Sequence, residues 1–176
     1  MNPKKFISEG EEVFRAREAL MTIERSDIED LKRKAIGNER GRCRICIHAG
    51  ANDPVHEMFI ALRGGAFDRP HAHRGKRESF LMVDGRMAVV LFRADASIDQ
   101  VIHLHAGGPC SYYHLAVSGL VHATVILETA VFLEITQGPF DPGDSFYPDW
   151  SPEYGTPGAD AFSYRLRQHL RENIHG

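Results

Sequence analysis

Between residues 42 and 136 the sequence is a succession of short β-type segments with no helical segment between them. The segments are rich in branched and aromatic residues, and Gly, Pro and Asp separate them. Many short strands in this arrangement predict an all-β sandwich or barrel. Asp84-Gly85, between two apolar segments, predicts a hairpin. The predicted strands are 42–48, 55–63, 78–83, 86–93, 98–105, 111–117, 121–127 and 130–136.

Helical signals precede these strands. The capping-box pattern S-x-x-E occurs at 8–11 and again at 26–29. After the second occurrence, Ile28, Leu31 and Ala35 fall on one helical face. We therefore expect the first forty residues to be helical.

The C-terminal part has a different composition. Residues 138–160 are rich in Pro, Gly and Asp, which predicts a loop that wraps the barrel. Phe162, Leu166 and Leu170 then predict a short C-terminal helix. The expected division of the chain is a helical N-terminal arm over 1–41, a barrel over 42–152, and a loop with a short helix over 153–176.

Length and charge exclude several classes of protein. The 176 residues suit one domain, and 21 Lys and Arg against 24 Asp and Glu give a net charge of −3, which does not favour a nucleic-acid platform. No apolar run approaches the roughly 18 residues that a membrane span needs. The first residues lead into an acidic stretch instead of a signal-peptide core, so we expect a cytoplasmic protein.

Three cysteines do not make a disulfide scaffold in a chain of this length. Cys43 and Cys46 form a CxxC pair, but no second such pair exists to complete a zinc ribbon. The surrounding run alternates like a strand, and a spacing of three on a strand places the two thiols on opposite faces. A structural zinc site is therefore not favoured here.

The most informative motif combines two of the ten histidines with one glutamate and two glycines: Gly65-x5-His71-x-His73-x4-Glu78-x6-Gly85. His71 and His73 are two residues apart, so on an extended segment both point to one face and can bind one ion. A glycine-containing bend then lets Glu78 return to the same interior. Gly85 closes the turn into the next strand.

A further ligand is expected from elsewhere in the barrel. His122 is the best candidate because it opens an apolar strand after a glycine turn, and His114 is the competing residue. Imidazoles and a carboxylate form a mixed N/O site for one divalent metal ion such as Fe, Mn, Zn or Ni. A second HxH pair, His103 and His105, has no carboxylate at a usable spacing, so we interpret it as structural.

Each proposed ligand also has an alternative structural interpretation. His71 and His73 would be solvated if they lay in a loop beside Pro70. Glu78 has basic neighbours with which it would otherwise form a surface ion pair. A single histidine at a strand start, such as His122, is often a hydrogen-bonded core residue.

The spaced motif resembles the first signature of the cupin superfamily. Gly119-x-x-His122 resembles the end of the second signature, although Val117 and Ile126 replace its usual proline and asparagine. This resemblance implies a cupin barrel, also called a double-stranded β-helix or jelly roll, that binds one divalent metal ion through His71, His73, Glu78 and His122.

A closer resemblance, over roughly residues 26–152, is to the WbuC-type cupin-fold metalloproteins, which are associated with O-antigen and surface-polysaccharide biosynthesis. The chain departs from that family at Val121, where a tryptophan is usual, and at 94–97, where an Asp-Gly hairpin is frequent. The matching segments are 42–48, 56–58, 70–73, 76–80, Gly85, the region of Tyr113, His122, 134–140 and the loop around 146–152.

Three functions fit this site. The first is a metal-dependent enzyme on a sugar or nucleotide-sugar intermediate, in which the metal acts as a Lewis acid and His56 is the candidate catalytic acid or base. His56 is chosen because its strand parity matches that of Met58 and Ile60. The second is a non-haem iron dioxygenase. The third is a non-catalytic metal- or sugar-binding module.

Other residues are candidates for the pocket or for the ligand. Cys46 and His48 share a strand face that approaches the pocket, while Arg44 and Lys76 suit a phosphate or carboxylate. The expected partner is a small molecule such as a sugar derivative, with neither nucleic acid nor a membrane. A homodimer is expected because open sheet edges favour pairing with a second copy and cupins commonly dimerise.

Overall fold

The structure is a computed structural model that describes residues 1–172. Its strands and helices, in chain order, are β1 (Phe6–Ser8), β2 (Val13–Ala16), α1 (Arg25–Gly37), β3 (Arg42–Cys46), β4 (Val55–Leu62), β5 (Ala72–His73), β6 (Glu78–Asp84), β7 (Arg86–Phe92), β8 (Ile98–His105), β9 (Tyr112–Leu115), β10 (His122–Ile126), β11 (Ala130–Gln137), a 3-10 turn (Pro142–Asp144), β12 (Ser145–Phe146) and α2 (Pro157–Glu172).

The strands form two sheets that face each other and one short ribbon. The larger sheet has the order β1-β2-β3-β4-β11-β6-β9, the smaller has the order β10-β7-β8, and β12 pairs with β5. Side chains from both sheets fill the space between them, including Phe80 and Phe132 from the larger sheet and Met87 and Ile126 from the smaller. The predicted all-β fold of two packed sheets, with α1 and α2 on their outer faces, is confirmed.

The first forty residues differ from the sequence prediction. Only α1 is helical there, and the expectation of helix throughout the first forty residues is wrong because β1 and β2 occupy part of this segment. β2 runs parallel to β3, with Phe14 opposite Ile45, so the sheet edge supplies its hydrogen-bond partners. A pairing across this distance in sequence leaves no local pattern.

Helix α1 covers the outer face of the larger sheet. Leu31 and Ala35 are fully buried against Cys43 and Ile45 of β3. The capping box begins at Glu24, whose backbone N–H donates to the Asp27 carboxylate at 2.9 Å. The helix therefore starts before the S-x-x-E pattern at 26–29 that predicted it.

Strand register determines which residues share the inner face of the larger sheet. β11 lies between β4 and β6, so Glu134 has Met58 on one side and Phe80 on the other. In the adjacent row Thr136 lies between His56 and Glu78. These two rows place polar side chains beside the apolar residues that fill the barrel.

Helix α2 covers the outer face of the smaller sheet. Leu166 and Leu170 are buried against Val90 and Val125, as the sequence predicts for a short C-terminal helix. The loop before it contributes Trp150, whose ring lies 5.3 Å from that of Phe92. No helix among residues 1–172 is long and apolar enough to cross a membrane.

Candidate metal centre

Short strands at one end of the barrel bring the predicted histidines together. His71 precedes β5, His73 ends it and His122 begins β10. An isolated antiparallel bridge joins the first and last of these: the N–H of His71 donates to the carbonyl of His122 at 2.9 Å, and the reciprocal bond is 2.8 Å. Their ring centroids are therefore only 4.6 Å apart.

The three imidazoles form a group that can hold a metal ion. One ring nitrogen from each of His71, His73 and His122 lies within 4.8 Å of the others. Glu78, the first residue of β6, reaches the same point. Its two carboxylate oxygens lie 3.3 Å from Nε2 of His73 and 3.3 Å from Nε2 of His122.

The opposite nitrogen of each ring is held by an oxygen. Nδ1 of His71 lies 2.8 Å from the carbonyl of Arg69, and Nδ1 of His122 lies 3.0 Å from the carbonyl of Leu120. Nδ1 of His73 lies 3.0 Å from the Ser145 hydroxyl. A carbonyl only accepts, so Nδ1 of His71 and of His122 carries the proton and leaves the Nε2 lone pair available to a cation.

The buried polar atoms without hydrogen-bond partners indicate which kind of ligand the three histidines and Glu78 suit. Nε2 of His73, Nε2 of His122 and one carboxylate oxygen of Glu78 are buried and have no hydrogen-bond partner among residues 1–172. Buried polar atoms are rarely left unpaired, and acceptors that face one another repel. A cation at their centre removes both penalties, and neutral imidazoles with a carboxylate suit a divalent transition metal.

Glu78 and the neighbouring histidines shift one another's pKa values. Burial raises the pKa of Glu78, but the close His122 and His73 rings outweigh it and hold this pKa at about 2. Burial lowers the pKa of His122, yet the Glu78 carboxylate raises it above the ordinary value overall. Glu78 is thus ionised at neutral pH, as a metal-binding carboxylate must be.

A cavity of about 250 Å³ lies against the histidines and Glu78. Met58, Ile60, Phe80 and Phe132 supply much of its apolar wall, in keeping with their inward strand positions. Small-molecule sites usually combine such a wall with a few polar groups that orient the ligand. Here the polar groups include Glu134.

Glu134 lies on the inner face of β11, one residue pair along the sheet from Glu78. Within residues 1–172 its carboxylate forms no hydrogen bond or ion pair. Burial and the Glu78 charge raise the pKa of Glu134 to about 8, while Arg44 opposes this rise. Glu134 was not predicted as a site residue, although a single carboxylate with the same strand parity as Phe132 in an apolar strand is a usable signal.

His56, the predicted catalytic residue, does not line this cavity in the described part of the chain. It shares the inner face with Met58 but lies near the end of β4. Its ring stacks on His48 with 4.1 Å between centroids and 3° between planes. The structure therefore does not bring His56 to the three histidines.

The other histidine candidates also lie elsewhere. His103 and His105 are exposed on β8 in the smaller sheet. His114 is exposed on β9, where its Nδ1 lies 2.7 Å from the hydroxyl of Ser79. Of the two competing residues, His122 is the one that joins His71 and His73.

The other predicted residues take separate places. Lys76 forms an ion pair with Asp144 at 2.9 Å. Cys43 packs with the residues beneath α1, whereas Cys46 lies opposite Met58 on β4. Arg44 and Lys76 were suggested to bind a phosphate or carboxylate. Of these two, Arg44 lines the cavity and Lys76 does not.

A family described as "Domain of unknown function (DUF6016)" has a sequence model that matches residues 23–104. That match contains His71, His73 and Glu78 and ends before His122. No curated protein sequence matches the chain.

Several solved structures resemble part of the chain. Oxalate decarboxylase OxdC from Bacillus subtilis is 23% identical and has a TM-score of 0.44, with the match covering 53% of this chain and 24% of that one. CapF, a capsular polysaccharide assembling protein from Staphylococcus aureus, is 19% identical with a TM-score of 0.48, over 62% of this chain and 32% of that one. KdgF from Halomonas sp. is 19% identical with a TM-score of 0.46, over 60% of this chain and 86% of that one. The chain spans about a quarter to a third of the length of OxdC and CapF and most of the length of KdgF.

Proposed function

We propose that this chain is a cupin metalloenzyme that binds one divalent metal ion through His71, His73, Glu78 and His122. The observation that carries the proposal is the convergence of unpaired, buried Nε2 and carboxylate atoms while each Nδ1 is held by an oxygen. Bound there, the ion supplies Lewis-acid polarisation of a carbonyl or hydroxyl oxygen of the substrate.

The protein's own contribution to the chemistry is a proton-transfer group beside a partly apolar wall. Glu134 faces the cavity without a hydrogen-bond or ion-pair partner among residues 1–172, so its carboxyl is free to meet a ligand. In the metal-free protein burial and the Glu78 charge raise its pKa to about 8, and a cation held by Glu78 would remove the second cause and leave burial to favour the proton. Phe80, Phe132 and Met58 surround it and limit the access of water.

We therefore assign the acid–base role to Glu134 in place of His56. The ring of His56 stacks on that of His48, and His56 does not line the cavity. A general acid or base has to reach the substrate directly or through one water, and Glu134 lines the cavity in which a substrate would bind. The expected reaction is an isomerisation or epimerisation beside a carbonyl group.

We propose as substrate a sugar or nucleotide-sugar intermediate of O-antigen or surface-polysaccharide assembly, on the strength of the resemblance to WbuC-type proteins. The segments that carry it include 42–48, 56–58 and 134–140, which lie on β3, β4 and β11 around the cavity. We also propose a homodimer, for which light scattering should give twice the mass of one chain; the mass of one chain contradicts it.

Deuterium exchange tests the catalytic proposal even while the product is unidentified. The protein, loaded separately with Mn, Zn, Ni or anaerobic Fe(II), is incubated in deuterium oxide with a panel of sugars and nucleotide sugars. Mass spectrometry then measures deuterium at carbon. Exchange should require metal, should stop in Glu134→Gln, and should persist in the control His103→Ala, whose histidine is exposed on β8.

The outcomes separate the alternatives. Oxygen uptake by the iron-loaded protein with a substrate, without exchange, replaces the proposal by a dioxygenase. Full metal occupancy without exchange or oxygen uptake for any member of the panel replaces it by a non-catalytic binding module. Exchange that survives in Glu134→Gln removes Glu134 from the mechanism.

A further inference from the structure

Three arginines line the cavity on the side of β3: Arg40, Arg42 and Arg44. Glu12 is the acid that pairs with two of them, at 3.4 Å from Arg40 and 2.9 Å from Arg42. The guanidinium of Arg44 forms no hydrogen bond or ion pair within residues 1–172. This part of the cavity therefore carries an excess of positive charge.

Strand register places Arg44 across the sheet from the metal centre. It lies opposite Ile60 of β4, and Ile60 lies opposite Phe132 of β11. Glu78 belongs to β6, on the far side of β11. Three strand-to-strand steps, about 14 Å, separate Arg44 from Glu78 across the sheet, and the register offset of four residues adds about 13 Å along it. Both line the same cavity, so Arg44 marks the end away from the histidines.

The acids of the cavity do not neutralise Arg44. The carboxylate of Asp68 accepts hydrogen bonds from the backbone N–H and the hydroxyl of Thr124, at 2.7 and 2.8 Å. Glu134 faces the cavity but forms no ion pair with Arg44. A planar guanidinium with free donors at the side of a cavity suits a carboxylate or a phosphate, which it can bind with two parallel hydrogen bonds.

We propose that Arg44 binds the anionic group of a small ligand, a carboxylate or a phosphate, whose other end lies against His71, His73 and His122. The second half of this statement rests on the function proposed above. The volume of about 250 Å³ is below the roughly 300–1,000 Å³ of common small-molecule sites, so the enclosed part suits a single sugar unit.

Three probes with one hexose ring test the charge requirement. Glucuronate carries a carboxylate, glucose 6-phosphate carries a phosphate, and glucose carries neither. Isothermal titration of the metal-loaded protein should show binding of at least one anionic sugar at least tenfold tighter than that of glucose. The anionic sugar that binds more tightly shows whether the site prefers a carboxylate or a phosphate.

Variants of Arg44 test whether this residue binds the anionic group. Arg44→Gln should weaken the anionic sugar about tenfold or more, the usual effect of losing a charge-assisted hydrogen bond, and leave glucose unchanged. Arg44→Lys should restore part of the binding because it keeps the charge without the planar fork. Arg17→Gln is the matched control, because Arg17 lies outside the cavity lining.

Metal content measured on the same samples separates this inference from the proposed function. Full metal occupancy with no anionic sugar bound, with equal binding of all three sugars, or with anion binding unchanged in Arg44→Gln overturns the role of Arg44. Absence of metal from the wild-type protein after loading overturns the metal centre, while an anion preference lost in Arg44→Gln still supports the Arg44 site.

Discussion

One carboxylate oxygen of Glu78 lies 3.3 Å from Nε2 of His122, and neither atom has a hydrogen-bond partner in the described part of the chain. The two residues belong to different sheets, since Glu78 begins β6 and His122 begins β10. The barrel therefore assembles the site by bringing its two sheets together. His122 is only 1% exposed, so any ion bound there is largely shielded from solvent on that side.

Ser145→Ala should weaken metal binding without abolishing it. The Ser145 hydroxyl holds Nδ1 of His73 at 3.0 Å and so fixes the ring that faces the site. Loss of such an outer partner typically costs about 10–100-fold in metal affinity. Competition with a fluorescent chelator measures the affinity. The control is Ser97→Ala, in a turn remote from the site. Equal metal affinities in the two variants would show that Ser145 does not orient His73.

Glu134 should make the metal-free protein less stable as the pH rises. Its pKa is about 8 in the folded protein against an ordinary 4.5, so the folded state binds the extra proton. The stability that this proton contributes to the folded state is fully present below about pH 4.5, and it is lost as the pH rises to about 8. Urea unfolding at about pH 5 and about pH 8 should show a larger loss in the wild type than in Glu134→Gln. Equal losses of unfolding free energy in the wild type and in Glu134→Gln would mean that the Glu134 carboxyl is ionised at both pH values.

Gly85→Ala should destabilise the hairpin between β6 and β7. The φ angle of Gly85 is +77°, and an added Cβ would meet the carbonyl oxygen of Thr129 at 2.4 Å. The expected cost is more than about 2 kcal/mol, because backbone strain and a backbone clash combine. Gly107→Ala is the control: φ is +74° but the space is open, so about 1 kcal/mol is expected. Similar unfolding free energies for the two variants would contradict the close approach.

Cys110 should be the one rapidly reacting thiol in the folded protein. Burial raises the pKa of Cys43 to about 11 and also raises that of Cys46, so little thiolate forms at about pH 8. Cys110 is only half-buried. Ellman's reagent should modify one thiol quickly and all three after unfolding, and Cys110→Ser should remove the fast phase. A fast phase that persists in this variant would place Cys43 or Cys46 near solvent.

Local patterns were sufficient to predict the barrel strands and four residues that meet at the site, His71, His73, Glu78 and His122. The strand predicted at 98–105 is β8 itself, and Asp84-Gly85 joins β6 to β7 as its dipeptide indicates. The two-residue spacing of His71 and His73 predicts a shared face, and both imidazoles meet at one point. These features depend on the alternation of neighbouring residues, which a sequence displays directly.

The features that were missed depend on pairing between distant segments. β2 is a strand because the edge of β3 is available to it, which no local pattern shows. Glu134 enters the cavity because β11 lies between β4 and β6. His56 has the predicted inward parity and shares a row with Glu78, yet parity does not reveal that β11 lies between their strands or that the His56 ring stacks on His48.

Metal content is the most direct test of the metal centre. Elemental analysis of the purified wild-type protein should find close to one divalent metal ion per chain. The double variant His71→Ala with His73→Ala should lose it while circular dichroism still reports a folded β protein. The matched double variant His103→Ala with His105→Ala, in the exposed HxH pair on β8, should keep it. Stoichiometric metal in the first variant, or its loss from the second, would contradict the assignment of the site.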